Sequence, residues 1–244
     1  SSSGVHPGYA ASTLVSEYND LESVKGLLES NPGEVAAVIV EPVAGNMGVV
    51  LPADGFIEGL RALTHEHGCL LIFDEVISGF RVAFGGAQSS LGIMPDITCL
   101  GKIIGGGFPV GAYGASAEIM SEVAPLGSMY QAGTLSGNPV AMAAGIATLD
   151  ELARDGVYED LQNTTDKLAD GVKNVFAEAG IPVVINRACG LMTVFFSNIQ
   201  VTDMETASAS DRDAYGSFFH QMVENGVYLP PSQYEAWFIS TAHT

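Results

Sequence analysis

Basic residues are scarce in this chain of 244: lysine and arginine together number 9 against 28 aspartates and glutamates, a formal net charge of −19. So acidic a surface repels phosphate backbones and anionic lipid headgroups, which argues against nucleic acid and membrane as partners. Uncharged apolar runs long enough to span a bilayer are missing, and the opening lacks the basic and apolar regions of a secretory signal. Only three cysteines occur, Cys69, Cys99 and Cys189, far apart and in apolar, strand-like contexts. Their number and spacing point away from a disulfide framework or a zinc site and toward a reducing cytoplasm. Familiar catalytic spacings fail as well: HEH at 65–67 is not HExxH, GTLSG is not the GxSxG elbow, and GKIIGGG lacks the spacing of a phosphate-binding Walker loop. What is present is apolar: 47% of residues are hydrophobic and 15% charged, enough to bury a large core and too much for disorder. The chain opens on SSSGVHPGYAAST, loop chemistry with no element before it, and stops at FISTAHT directly after a strand-like run, so a fragment of a longer protein is expected.

The order of patterns predicts an α/β fold. VAAVIVEP (35–42) reads as a strand buried on both faces. Asp54 is placed to cap a helix carrying Phe56, Ile57, Leu60 and Leu63 at helical spacing, with Gly68 as its stop. CLLIFDEV (69–76) is a second buried strand, DITCLG a third and PVGAYGAS a fourth. Alternating strand and helix predicts a mainly parallel sheet covered by helices on both faces. Helices follow from Asn138 to Gly156 and from 158 to about 179. Strands near 182–185 and 191–197, an acidic, serine-rich loop, a helix around 211–225 and short final strands come after them. The expected division is a large domain over 1–150 and a smaller α+β domain over 151–244.

Of the four lysines, Lys25, Lys167 and Lys173 fall on polar faces of predicted helices, whereas Lys102 lies between an apolar run and three glycines in TCLGKIIGGGFPVGA. It is therefore expected to be poorly solvated, and an amine so placed is less comfortable protonated and more available for Schiff-base chemistry. Asp74, after LLIF, stands where open α/β sheets bind ligands, and a carboxylate there needs a partner. An aspartate on one strand end and a lysine on a nearby one suit pyridoxal phosphate, whose aldehyde takes the amine while its ring nitrogen stays protonated against the carboxylate. The glycine-rich loops AGNMG (44–48) and MYQAGTLSGNP (129–139) are further candidates, the second opening a helix whose N–H groups could hold phosphate.

With FDEVISGFR and LGKIIGGGFPVGAYG in view, the chain resembles the class III, fold type I, pyridoxal phosphate enzymes along essentially its whole length; MYQAGTLSGNP and PSQYEAWFISTAHT narrow the resemblance to a branch that moves an amine within one substrate. The resemblance implies pyridoxal 5'-phosphate, cycling with pyridoxamine 5'-phosphate, held by Lys102, which also moves the substrate proton. It gives Asp74 to the ring nitrogen, Val76 to the ring face and Asn46 to the 3' oxygen. Thr134, with the Gly133 backbone, would reach the phosphate of a neighbouring subunit in a homodimer. Tyr130 and Glu235 would lie near substrate, and SSSGVHPG would be the tail of a gating loop. The implied reaction turns glutamate-1-semialdehyde into 5-aminolevulinate through 4,5-diaminovalerate, for tetrapyrrole synthesis in the cytoplasm or a plastid stroma. The resemblance also implies an upstream phosphate loop, cofactor-stacking aromatic and substrate arginine, and a downstream closing helix, outside this sequence. The alternatives are an ω-aminotransferase or racemase on the same fold, which would share Asp74 and Lys102, and a catalytically silent relative.

Overall fold

The computed structural model describes residues 3–243, so the first two residues of SSSGVHPG lie outside the described residues. After the short helix α1 (Pro7–Ala10) and α2 (Leu21–Ser30), the apolar runs read from the sequence form three parallel strands, β1 (Ala37–Val40), β2 (Leu70–Asp74) and β3 (Ile97–Leu100). β4 (Ala112–Ala115) joins antiparallel to β3, giving the order β1-β2-β3-β4. Register pairs Val40 with Phe73 and Asp74 with Cys99, so the three parallel strands end along one edge.

Between β1 and β2 lies α3 (Phe56–His67), which lays Phe56, Ile57 and Leu60 against Leu71 and Phe73 of β2 and Val24 and Leu28 of α2. Leu71 and Phe73 are fully buried, as alternation along a strand with one face on a core requires. Gly68 ends α3 in the left-handed conformation, as expected, but Asp54 does not cap it. Gly55, at φ 81°, holds the cap position with no side-chain bond, leaving Asp54 one residue too far back. The expected covering by helices on both faces is incomplete, because β4 is exposed along most of its length.

Beyond β2 come α4 (Gly86–Leu91) and, after β3, a 3₁₀ turn, Lys102–Gly105; α5 (Ala117–Met120) follows β4. Next are α6 (Pro139–Leu152), capped by the Asn138 side chain, and the long amphipathic α7 (Val157–Glu178). A second sheet, β5 (Val184–Ala188), β6 (Leu191–Phe195) and β7 (Trp237–Phe238), is antiparallel throughout, and α9 (Arg212–Glu224) packs on it through Phe218 and Met222. The segment expected as an acidic, serine-rich loop contains α8 (Met204–Ser208). A capping box closes it, in which Asp203 takes the Thr206 N–H and Thr206 answers with its hydroxyl. Two apolar clusters join the sheets: Val49, Ile77 and Ala87 meet Leu191 and Ala236, while Val50 meets Phe195 and Val201.

Candidate active site

Parallel strands that end together deliver their following loops to one place. The loop after β1 carries Asn46, the residues after β2 are Glu75 and Val76, and the turn after β3 begins at Lys102. Asp74, half-buried, accepts the Val76 N–H through Oδ1 at 3.0 Å. Gly101 lies against Val76 at the junction of the two strand ends: a Cβ there would stand 3.2 Å from Val76 Cγ1, a tight contact that the valine would have to yield to. Lys102 itself takes a left-handed backbone, φ 47°, a conformation rare outside glycine and found where surrounding structure imposes it. The imposing element is α6, whose Gly145 lies against the Ile104 carbonyl and whose Ala144 carbonyl lies against Gly106.

One expectation fails here. Lys102 is exposed rather than buried among its apolar neighbours. The sequence places Ile103, Ile104 and Gly105 beside it, but the 3₁₀ turn directs Gly105 inward onto α6 and leaves the lysine facing a cleft of about 730 Å3. Ile77, Arg81, Phe108, Thr148 and Phe238 share that cleft, and among the described residues no acid lines it. Arg81 Nη1 donates to the Ile239 carbonyl at 3.0 Å and its guanidinium lies 5.5 Å from the centre of the Phe238 ring, tying β7 to the cleft wall.

Asn46 is exposed, and its Nδ2 donates to Glu41 Oε1 at 2.7 Å, while Glu41 Oε2 accepts the Gly45 N–H at 2.7 Å. The same loop meets the C-terminal segment. Gly48 N–H donates to the Tyr234 carbonyl at 2.7 Å, and Thr193 Oγ1 accepts from Val49 at 2.9 Å while donating to the Glu235 carbonyl at 3.3 Å. Glu235 thus sits beside the Asn46 loop with its side chain exposed. Asn46, Asp74, Val76 and Lys102 thus lie at or just beyond the ends of the three parallel strands, with Glu235 beside the Asn46 loop, while the cleft that Lys102 lines includes none of the other four.

Tyr130, Gly133 and Thr134 do not join them. They lie on an exposed segment ahead of α6, and among the described residues no hydrogen bond ties them to Asp74 or Lys102, nor do they line the Lys102 cleft. The N-terminus of α6, expected to offer N–H groups to phosphate, has Val140 and Ala141 N–H already satisfied by Asn138 Oδ1, and Pro139 has none to give. Three residues of the site escaped sequence reasoning: Arg81, Phe238 and Glu75. For Glu75 a signal existed, since two adjacent acids after LLIF must point to opposite sides of the strand end.

Residues 8–242 match the profile of the family described as Aminotransferase class-III. The chain belongs to the class III aminotransferases. Among curated relatives, the glutamate-1-semialdehyde 2,1-aminomutase of Desulfitobacterium hafniense (strain Y51) is 54% identical over 243 residues, which is all of this chain and 56% of that protein. The aminotransferase fold is equally clear among solved structures. An omega-transaminase from Sphaerobacter thermophilus superposes with a TM-score of 0.91 at 34% identity, over 98% of this chain and 55% of that one. A glutamate-1-semialdehyde-aminomutase from Pseudomonas aeruginosa PAO1 in complex with PMP gives a TM-score of 0.84 at 30% identity, over 98% and 55% of the two chains. The chain therefore spans little more than half the length of the aminotransferases it matches.

Proposed function

We propose that this protein is a pyridoxal phosphate-dependent glutamate-1-semialdehyde 2,1-aminomutase, converting (S)-glutamate-1-semialdehyde to 5-aminolevulinate within one active site. One observation carries the reading: Asp74 and the Lys102 turn stand on adjacent parallel strand ends, joined through Val76 and Gly101, in a chain 54% identical to proteins of that name. The residues fit the cofactor. Val76 offers an apolar face between a carboxylate at the end of β2 and an amine at the start of the turn after β3.

Bound there, pyridoxal phosphate supplies an electron sink for the bonds of the amine-bearing carbon. Lys102 Nζ would hold the group through its aldehyde and would carry a proton to and from that carbon. Asp74 would keep the ring nitrogen protonated, Val76 would offer its apolar face to the ring, and Asn46 Nδ2, which Glu41 steadies, would serve the 3' oxygen. Tyr130 and Glu235 contact substrate. Thr134 and Gly133 serve the phosphate of a second subunit, which accounts for their separation from Lys102, and makes the assembly a homodimer. The break between large and small domains falls near residue 151. No helix among the described residues is long and apolar enough to cross a membrane, and a cytoplasmic setting suits the free thiols.

The resemblance to the omega-transaminase favours a second reading, amine transfer to an external keto acid. Incubating the holoenzyme with glutamate-1-semialdehyde and no keto acid distinguishes the two. Formation of 5-aminolevulinate is expected; turnover only after a keto acid is added assigns the transaminase, and failure to take up cofactor leaves a silent relative.

A further inference from the structure

The buried carboxylate beside Asp74 has no part in the chemistry just described. Glu75 is fully buried, with 0% of its surface exposed. Its Oε2 accepts from Ser78 Oγ and Ala87 N–H, each at 2.8 Å, and its Oε1 accepts from Gln88 N–H at 2.8 Å. Its own N–H donates to the Cys99 carbonyl at 2.9 Å and its carbonyl accepts from Gly79 N–H at 2.8 Å. No lysine or arginine approaches it among the described ion pairs. The opening of α4 is shaped around it. Gly86 has φ 70°, and a Cβ there would stand 2.6 Å from Oε1 and 2.7 Å from Oε2. Five hydrogen bonds from this one residue fasten the end of β2 to β3, to its own turn and to α4. The turn so fastened holds Val76, whose N–H fixes Asp74 Oδ1 and whose side chain meets Gly101.

We propose that Glu75 is a positioning residue for Asp74: by gripping α4 it sets where the Val76 N–H holds the Asp74 carboxylate, and so how well that carboxylate keeps the cofactor's ring nitrogen protonated. The inference rests on Asp74 being the ring-nitrogen partner. Glu75→Gln preserves shape but turns an amide NH2 toward donors, so the turn loses acceptors and relaxes. Ser78→Ala is the milder variant, removing one donor and leaving the carboxylate on α4.

The test reconstitutes the holoenzyme with pyridoxal 5'-phosphate carrying an NMR-active isotope at the ring nitrogen, reading nitrogen protonation, melting temperature and steady-state kinetics together. Glu75→Gln is expected to lower the protonated fraction and to reduce kcat roughly tenfold with KM little changed, the pattern of a lost outer partner. Ser78→Ala should move ring protonation the same way by less. If both variants lower only the melting temperature, and ring protonation and kcat stay at wild-type values, Glu75 is structural and the proposal is overturned. Asp74→Asn separates the two levels. Loss of ring protonation in that variant, with none in the Glu75 and Ser78 variants, overturns the positioning role alone, whereas persistent protonation in Asp74→Asn overturns the reading of Asp74 itself.

Discussion

At the scale of single residues, the backbone of Lys102 tells more than its surroundings. A lysine at φ 47° is held by its context, and that context aims it into the cleft shared with Arg81 and Phe238. Lys102→Ala should retain cofactor noncovalently while turnover falls roughly a thousandfold or more, since both the covalent anchor and the proton carrier are gone. Borohydride reduction of the wild-type holoenzyme followed by peptide mapping should place the adduct on Lys102; an adduct on Lys25, Lys167 or Lys173 would refute the assignment. A second prediction concerns Tyr158, whose hydroxyl donates to the Phe80 carbonyl at 2.8 Å and is pushed up to about 12, mainly by burial. Folded protein then keeps a proton that the unfolded chain releases near the ordinary tyrosine value of 10.0. The contribution is complete below the unfolded value and is lost as pH rises through the folded one. Urea unfolding from about pH 9 to about pH 12 should therefore show a shallower decline for Tyr158→Phe than for wild type. Parallel declines would show that Tyr158 is not linked to stability.

Elements bring a sign reversal that propensity alone misses. Replacing glycine by alanine inside a helix ordinarily stabilises by about 0.5–1 kcal/mol. Gly171 of α7 is exposed with nothing within 4 Å of an added Cβ, so Gly171→Ala should follow that rule. Gly145 of α6 is buried, and a Cβ there drives into the Ile104 carbonyl in the turn that carries Lys102. Gly145→Ala should destabilise despite better propensity, by about 1–3 kcal/mol as overpacking does elsewhere, and should weaken cofactor retention in the same sample. Denaturant titration of both variants checks the pair; a Gly145→Ala as stable as Gly171→Ala would mean that α6 does not shape the turn. Patterns of this kind also mark how much was legible. β2 and α3 were readable because Leu71, Phe73, Ile57 and Leu60 repeat at the periods of a strand and a helix with one buried face. The cap of α3 was not, because Gly55 competes with Asp54 through backbone conformation rather than side-chain chemistry. α8 hid in a polar segment whose start is marked by a capping box rather than by an apolar repeat. The exposure of Lys102 was hidden for a related reason: neighbours in sequence do not say which way a 3₁₀ turn faces.

For the molecule as a whole, a net charge of −19 opposes self-association, so contact between copies has to come from apolar surface. α6 supplies it. Ala141 and Gly145 face inward, while Val140 at 57% and Ile146 at 61% exposure leave apolar side chains uncovered, beside Leu126, Tyr130 and Leu135 in the preceding segment. Asp74 and Lys102 were legible from the strand ends. The role of Thr134 toward a second subunit's phosphate and that of Tyr130 toward substrate are implied only by family resemblance, since nothing local in the sequence points to either. Their position invites a test that separates assembly from chemistry. Ile146→Asp places a charge on the uncovered face without touching the cleft, and should convert a dimer to monomers in sedimentation and weaken cofactor binding with it, because the phosphate loses the partner's Thr134 and Gly133. Thr134→Val should leave the dimer intact and weaken cofactor binding alone. A monomer that retains wild-type cofactor affinity would break the link between the two, and would return the phosphate contact to the subunit that holds Lys102.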